Sequence, residues 1–296
     1  MKILILGGSG MLGHKLSQVA QKSFDTQVSL RQPLPAHEQF GIFGNARLIT
    51  GVRAEDFESV ARAVGVSRPD VVVNCIGLVK QASAANDPIA SITINSLFPQ
   101  RLAQLARAAK ARLIHLSTDC VYSGTEGNYS EDDLPDAEDL YGRTKLLGEV
   151  SGEHCLTLRT SMIGRELART RGLLEWFIAQ NGRTVAGFRR AVFSGLTTLA
   201  LAEVLVQVVR SHSELHGVWH VAGPAISKFD LLQLAQKTYG LNIEIQPDDT
   251  FVCDRSLNGS RFEAATGIRS PAWPQMIQRL HDDSTPYDAI RRMNDP

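Results

Sequence analysis

The sequence predicts an α/β protein, a doubly wound parallel sheet with a smaller C-terminal lobe, and three observations carry that expectation. Short apolar or β-branched runs alternate with longer helical patterns through the first half, and such alternation means right-handed βαβ crossovers. Val71-Val72-Val73 is apolar without a break, as a parallel strand covered on both faces requires. The chain of 296 residues, 43% apolar and 21% charged, is long enough for about two domains or one large α/β unit with an ample core.

In order, strands are expected at 2–6, 27–30, 48–50, 71–75, 112–117 and 156–159. Helices are expected between them, notably at 56–64 and at 97–109, where Leu97, Leu102, Leu105 and Ala109 recur at helical spacing. After about residue 160 the pattern changes. The stretch 164–195 is rich in Arg, Gly and aromatics, and a helix at 199–211 and a strand at 217–221 follow. Beyond Gly223 one clear helix, Lys228–Tyr239, precedes Pro-spaced irregular segments. The expected division is a dinucleotide-binding domain at 1–163, to which 190–222 returns, and a substrate-binding lobe from 164–189 and 223–296.

Composition removes several function classes. Lys+Arg and Asp+Glu each number 31, for a formal net charge of zero, which argues against a nucleic-acid partner. No apolar stretch reaches the roughly 18 residues of a membrane span; the longest, 196–209, is interrupted by Glu203 and Gln207. Met1-Lys2 runs straight into a short apolar run without the small-residue cleavage site of a leader. Cys75, Cys120, Cys155 and Cys253 lie far apart, which suits reduced thiols in a cytoplasmic protein better than a disulfide framework or zinc site. His14, His115, His212, His216 and His220 form no metal-ligand spacing, so no metal is expected.

The first strand ends in Gly7-Gly8-Ser9-Gly10-Met11-Leu12-Gly13 and leads into a helix. Glycines at this spacing permit a tight turn, close approach to a pyrophosphate and close helix–strand packing. The helix N-terminus, with the Met11 and Leu12 amides, adds donors and a positive dipole. The expectation is a Rossmann-like dinucleotide site using Gly7, Gly10, Met11, Leu12 and Gly13. NAD would call for an acidic residue at the end of the second strand. That strand reads Val28-Ser29-Leu30-Arg31, and no carboxylate stands between Thr26 and Ala36. Ser29 and Arg31 suit a 2′-phosphate, so NADP(H) is expected over NAD(H), with NAD(H) use still open.

The fifth strand runs into Ser117-Thr118-Asp119, and Tyr141-Gly142-Arg143-Thr144-Lys145 follows on a helix expected to continue to Val150. Tyr141 and Lys145, four apart, share a helix face. A neighbouring ammonium is expected to lower the Tyr141 phenol, fitting it for proton transfer near neutrality. Thr118 stands at the C-terminal end of a parallel strand, where open α/β sheets bind ligands.

With the runs at 7–13, 117–124 (S-T-D-C-V-Y-S-G), 141–149 (Y-G-R-T-K-L-L-G-E) and 158–161 (L-R-T-S), the chain resembles an extended short-chain dehydrogenase/reductase, and most closely the dTDP-4-dehydrorhamnose reductase branch. The resemblance covers a little over half the chain. It implies Thr118, Tyr141 and Lys145 as the catalytic set and Asn95 as a residue supporting the lysine. It places Cys75, Ile76 and Gly77 in the loop that passes the nicotinamide ribose. It implies reduction of a 4-keto-6-deoxy nucleotide sugar, and a homodimer pairing through the helices at 97–109 and 141–150. Related 4,6-dehydratases follow the threonine with Asp-Glu; Cys120 here offers no second acid.

Substrate contacts are expected from Thr118, Asp119, Lys80 with Gln81, Arg255 in the tail, and Arg189 in the segment holding Arg165, Arg169, Arg171, Arg183, Arg190, Trp176 and Phe188. Guanidinium groups suit a diphosphate and aromatics a base. A nucleotide-sugar epimerase and a non-catalytic NADP-binding regulatory subunit are the alternatives.

Overall fold

The computed structural model describes residues 1–33, 38–79, 86–168 and 171–294. Its centre is a seven-stranded, all-parallel sheet in the order β11-β6-β5-β4-β1-β2-β3. The strands are β1 (Lys2–Leu6), β2 (Asp25–Ser29), β3 (Arg47–Ile49), β4 (Val71–Asn74), β5 (Arg112–Leu116), β6 (Cys155–Arg159) and β11 (Gly217–His220). The order 3-2-1-4-5-6 is that of the doubly wound dinucleotide fold, and it reverses between β1 and β4, where such sheets bind ligands.

Strand alternation sends Ile3, Ile5, Val71, Val73, Ile114 and Leu156 to one apolar layer and Leu4, Leu6, Val72, Leu113 and Cys155 to the other. The first layer is closed by α1 (Met11–Ala20) and by α7 (Thr198–Ser211), which lie against each other. The second is closed by α2 (Phe57–Ser67) and α4 (Phe98–Ala108). Asp56 caps α2, accepting a hydrogen bond from the Ser59 amide. Two elements far along the chain, α7 and β11, thus complete the first-half architecture.

The expected helix at 97–109 is longer than its periodicity shows. A short α3 (Pro88–Ser91) runs into a π-helical stretch (Ile92–Leu97) before α4, and Asn95 sits in that stretch, a local irregularity of the kind found at functional sites. The helix at Tyr141, α5 (Leu140–Leu147), stops short of the expected Val150. Gly148 ends it, and a Cβ there would lie 1.8 Å from the Asn95 carbonyl oxygen.

The remaining strands form small sheets: β10 (Leu196–Thr197) with β7 (Met162–Ile163), β9 (Ala191–Phe193) between β12 (Ile226–Ser227) and β14 (Cys253–Asp254), and β13 (Glu244–Asp248) with β8 (Thr184–Phe188). The tail is more regular than expected. After α8 (Lys228–Tyr239) come α9 (Ser260–Thr266), α10 (Trp273–His281) and α11 (Tyr287–Asn294). Pro274 misleads the sequence reading because it occupies the first turn of α10, where its missing N–H costs nothing. Tyr287 of α11 reaches back to α1, its hydroxyl 3.0 Å from His14 Nε2. Glu175 of α6 (Leu173–Ile178) holds both Arg165 and Arg291, at 2.7 and 2.6 Å. No helix among the described residues is long and apolar enough to cross a membrane.

Candidate active site

The glycine loop lies where β1 meets α1. Gly7 has φ +85°, a left-handed conformation that disfavours side-chain-bearing residues. Its amide donates to Ser29 Oγ at 3.1 Å, and the Gly8 amide donates to the Ser29 carbonyl at 2.9 Å. A Cβ on Gly13 would lie 2.1 Å from the Gly7 carbonyl oxygen, so α1 packs against the turn as closely as glycine allows. Gly10 is the N-cap of α1 and makes no side-chain capping bond. The Met11–Gly13 turn therefore presents amides and a positive dipole to an anion. These features fit the pyrophosphate of a dinucleotide.

Both residues expected at the end of the second strand already have partners. Ser29 is buried and its hydroxyl braces Gly7 by accepting from its amide. Arg31 is exposed but not free: Nη2 donates to Glu55 Oε1 at 2.8 Å. The acid absent from the end of β2 is thus supplied after β3.

Across the switch point, the loop after β4 abuts the glycine turn, with Ile76 Cγ1 3.0 Å from where a Gly7 Cβ would stand. The Ile76 amide donates to Asn74 Oδ1 at 3.0 Å. Asn95 clamps the loop beyond Gly77, accepting from the Leu78 amide at 2.8 Å and donating to its carbonyl at 3.1 Å. It also lies 3.4 Å from Thr144 Oγ1, tying the loop to α5. Burial pushes the Cys75 thiol up to about 12, so it stays protonated. Lys80 and Gln81 lie outside the described residues, as does Arg169.

Thr118 ends β5 and caps the 3₁₀ turn Asp119–Val121, its Oγ1 accepting from the Cys120 amide at 3.1 Å. Its hydroxyl donates to Asp119 Oδ1 at 3.0 Å, and the Tyr141 phenol lies close enough to be influenced by it. Asp139 caps α5 and fixes where that helix starts, accepting from the Gly142 amide at 2.8 Å. Lys145, one turn after Tyr141, donates to the Leu116 carbonyl at 2.6 Å.

The expected lowering of the Tyr141 phenol is not what this environment does. Burial, then the nearby Cys120, push it up, and the Thr118 hydrogen bond only partly offsets them. Lys145 is itself held down to about 8 by desolvation against the pull of Glu149. The phenol is therefore a protonated donor at neutral pH.

Around this group, burial raises Asp119, while Thr118, Cys120 and Arg255 pull it down. Arg255 follows β14 and reaches across from the tail, donating to the Tyr122 carbonyl at 2.9 Å and lying 3.8 Å from Cys120 Sγ. Arg189 is engaged elsewhere, in an exposed bidentate pair with Asp249. Among the described residues, no cluster of three or more His, Cys, Asp or Glu has the proximity to hold a metal. The sequence reading also missed what stands behind the site: Glu149 and Arg159, both inside quoted motifs, form a buried pair, Nε to Oε1 at 2.8 Å.

Sheet order, glycine turn and the Thr118–Tyr141–Lys145 group together define a Rossmann-like protein of the short-chain dehydrogenase/reductase type. A family model described as the RmlD substrate binding domain matches residues 1–285, and the chain belongs to that family. A dTDP-4-dehydrorhamnose reductase from Shigella flexneri is 26% identical over 315 residues, covering 98% of this chain and 100% of that protein. Another, from Mycolicibacterium smegmatis, is 28% identical, covering 82% and 71%. The match to the Mus musculus methionine adenosyltransferase 2 subunit beta is 31% identical but covers 50% of this chain and 41% of that protein, so the chain spans under half the length of that relative. Among solved structures, a dTDP-4-dehydrorhamnose reductase from Bacillus anthracis in complex with NADP superposes with TM-score 0.77 at 17% identity, covering 94% and 98%. The Bordetella bronchiseptica enzyme WbmG in complex with NAD gives TM-score 0.77 at 20% identity, covering 95% and 92%. At these identities the likeness is one of fold.

Proposed function

We propose that the chain is an NADPH-dependent reductase of a 4-keto-6-deoxy nucleotide sugar. The observation that carries this is the placement of Tyr141 close to Thr118, just past the end of β5, with Lys145 one turn further on and its ammonium on the Leu116 carbonyl, beside the β1–β4 switch point. When bound, the reduced nicotinamide cofactor supplies a hydride to the keto carbon. Tyr141, half-buried and kept protonated by desolvation, gives its proton to the oxygen that gains charge, and Thr118 holds that oxygen through its hydroxyl. Lys145 binds the nicotinamide ribose. The glycine turn with Met11 and Leu12 holds the pyrophosphate, and Arg31 meets the adenosine phosphate. Cys75, Ile76, Gly77 and Asn95 shape the ribose side of the cleft. Asp119, Lys80 and Arg255 bind the substrate, Arg255 coming from a substrate-binding lobe formed by 164–189 and 223–296.

Similarity to two reductases across most of the chain supports this reading over an epimerase or a regulatory subunit. The complete Thr–Tyr–Lys group does so too, since a subunit that only senses a dinucleotide has no use for a proton donor. The second helix layer carries exposed apolar side chains, Leu97 (50%) and Leu147 (65%). Gln100, on the turn after Leu97, donates to the Leu147 carbonyl, and we take this face to be the homodimer interface. The test is incubation with NADPH and a panel of nucleotide keto-sugars, following loss of reduced-cofactor absorbance. Stoichiometric oxidation supports the reductase; interconversion of sugars without net oxidation identifies an epimerase; no turnover at saturating cofactor refutes both.

A further inference from the structure

A buried ion pair behind the catalytic strand end has no part in the chemistry described so far. Arg159, on β6, grips Glu149 through two parallel bonds, Nε to Oε1 and Nη2 to Oε2, both 2.8 Å, and both side chains are buried. The Ser117 hydroxyl donates to the same Oε1 at 2.6 Å. Ser117 lies between Leu116, whose carbonyl receives the Lys145 ammonium, and Thr118. Two adjacent residues are thus pinned by two side chains from one helix end, immediately before the catalytic threonine. The far side of Arg159 is satisfied by the Tyr122 hydroxyl at 2.7 Å.

We propose that Glu149 is a positioning residue for the reaction, a buried carboxylate held by Arg159 and Ser117 that, one turn beyond Lys145, fixes the strand end bearing Thr118 and the Leu116 carbonyl on which the Lys145 ammonium rests. This rests on the role given to Lys145 above. Replacing a buried ion pair with apolar side chains is often neutral or stabilising, so packing alone gives little reason for a carboxylate here. A buried ammonium nearby does give one. Desolvation works to discharge Lys145, and Glu149 is the group that opposes it. The other titratable groups facing Lys145 give no such support. Tyr141 on its own helix is a protonated phenol, and His115 on β5 is held neutral by burial and by the Lys145 charge itself. The π-helical stretch offers Asn95 and the loop after β4 offers Gly77, both uncharged. Arg159 on β6 faces Glu149, not Lys145.

The Lys145 titration can be followed by NMR of 13C-labelled lysine side chains, with Lys145→Arg assigning the signal, in the wild type, Glu149→Gln and Glu149→Asp. The midpoint should fall by about one pH unit or more in Glu149→Gln, the size expected for losing a nearby opposite charge. It should stay close to the wild-type value in Glu149→Asp, which keeps the charge. Should Glu149→Gln fail to fold with Arg159 left unpaired, Glu149→Gln/Arg159→Met should show a smaller fall in the same direction, since a more distant cation is lost with the carboxylate. An unchanged midpoint without the carboxylate, or an equal fall in Glu149→Asp, overturns the proposal. Because the signal is read without cofactor or sugar, this result stands apart from the turnover test of the reductase reading.

Discussion

On the proposed reading, cofactor choice turns on Arg31, and its environment sets how much that residue is worth. A charge-assisted bond between a guanidinium and a phosphate contributes roughly 1.5–3 kcal/mol. Here the guanidinium is about half exposed (53%) and already pairs with Glu55 (36% exposed) at 2.8 Å. Exposed pairs of that kind are worth about 0–1 kcal/mol, and a 2′-phosphate must displace it. The net gain is about 1–2 kcal/mol, or roughly 5- to 30-fold in affinity at 1.4 kcal/mol per decade. Arg31→Ala should therefore weaken NADPH by that factor and leave NADH within twofold. Glu55→Gln should tighten NADPH by up to about fivefold by releasing Arg31. Fluorescence titration of both nucleotides with each variant is the assay, and the Arg31 effect should shrink as salt is raised. Equal weakening of NADPH and NADH, or no weakening at all, would refute the assignment. Looser NADPH binding in Glu55→Gln would show that the acid helps to place the guanidinium instead of competing for it.

Further expectations follow from the same geometry. Gly13→Ala would set a Cβ 2.1 Å from a backbone oxygen, so α1 must move off the turn; calorimetric titration should show dinucleotide binding at least tenfold weaker, or lost. Lys145 gives up its proton near pH 8 rather than 10.5, so NADPH affinity should fall as pH rises through about 8. The same lowered value makes the buried ammonium a stability cost below pH 8 that fades between about 8 and 10.5, where the unfolded chain still binds the proton and the native chain does not; thermal melts of wild type and Lys145→Met across that window should show it. Leu97→Asp combined with Leu147→Asp should give a monomer by light scattering at micromolar concentration, and a wild-type monomer would remove the interface.

The sheet was readable because buried parallel strands write unbroken apolar runs such as Val71–Val73 and because the Gly7–Gly13 spacing has few other uses. The positions of Thr118 after a strand and of Tyr141 and Lys145 on one helix were readable for the same reason, being set by short-range patterns. What stayed hidden depends on partners distant in sequence. Glu55 is 24 residues from Arg31, and nothing local marks it as the acid that guanidinium finds. The bond from the Gly7 amide to the Ser29 hydroxyl spans 22 residues, and nothing local marks it either. The direction of the Tyr141 shift depends on burial, which Y-x-x-x-K spacing does not encode. Likewise α10 and α11 are held by packing against α8 and α1, and helices shorter than about 12 residues draw most of their stability from such contacts.

The most direct measurement is stopped-flow oxidation of NADPH by a dTDP-4-keto-6-deoxy sugar, with wild type and Tyr141→Phe compared at saturating cofactor. With the proton donor removed and the ring retained, kcat should fall by roughly 10²–10⁴, the usual cost of losing a general acid, while NADPH Kd stays within about threefold, well under a decade. Near-wild-type turnover in Tyr141→Phe would mean that the proton comes from another group and that the Tyr141–Thr118 geometry is not the catalytic centre.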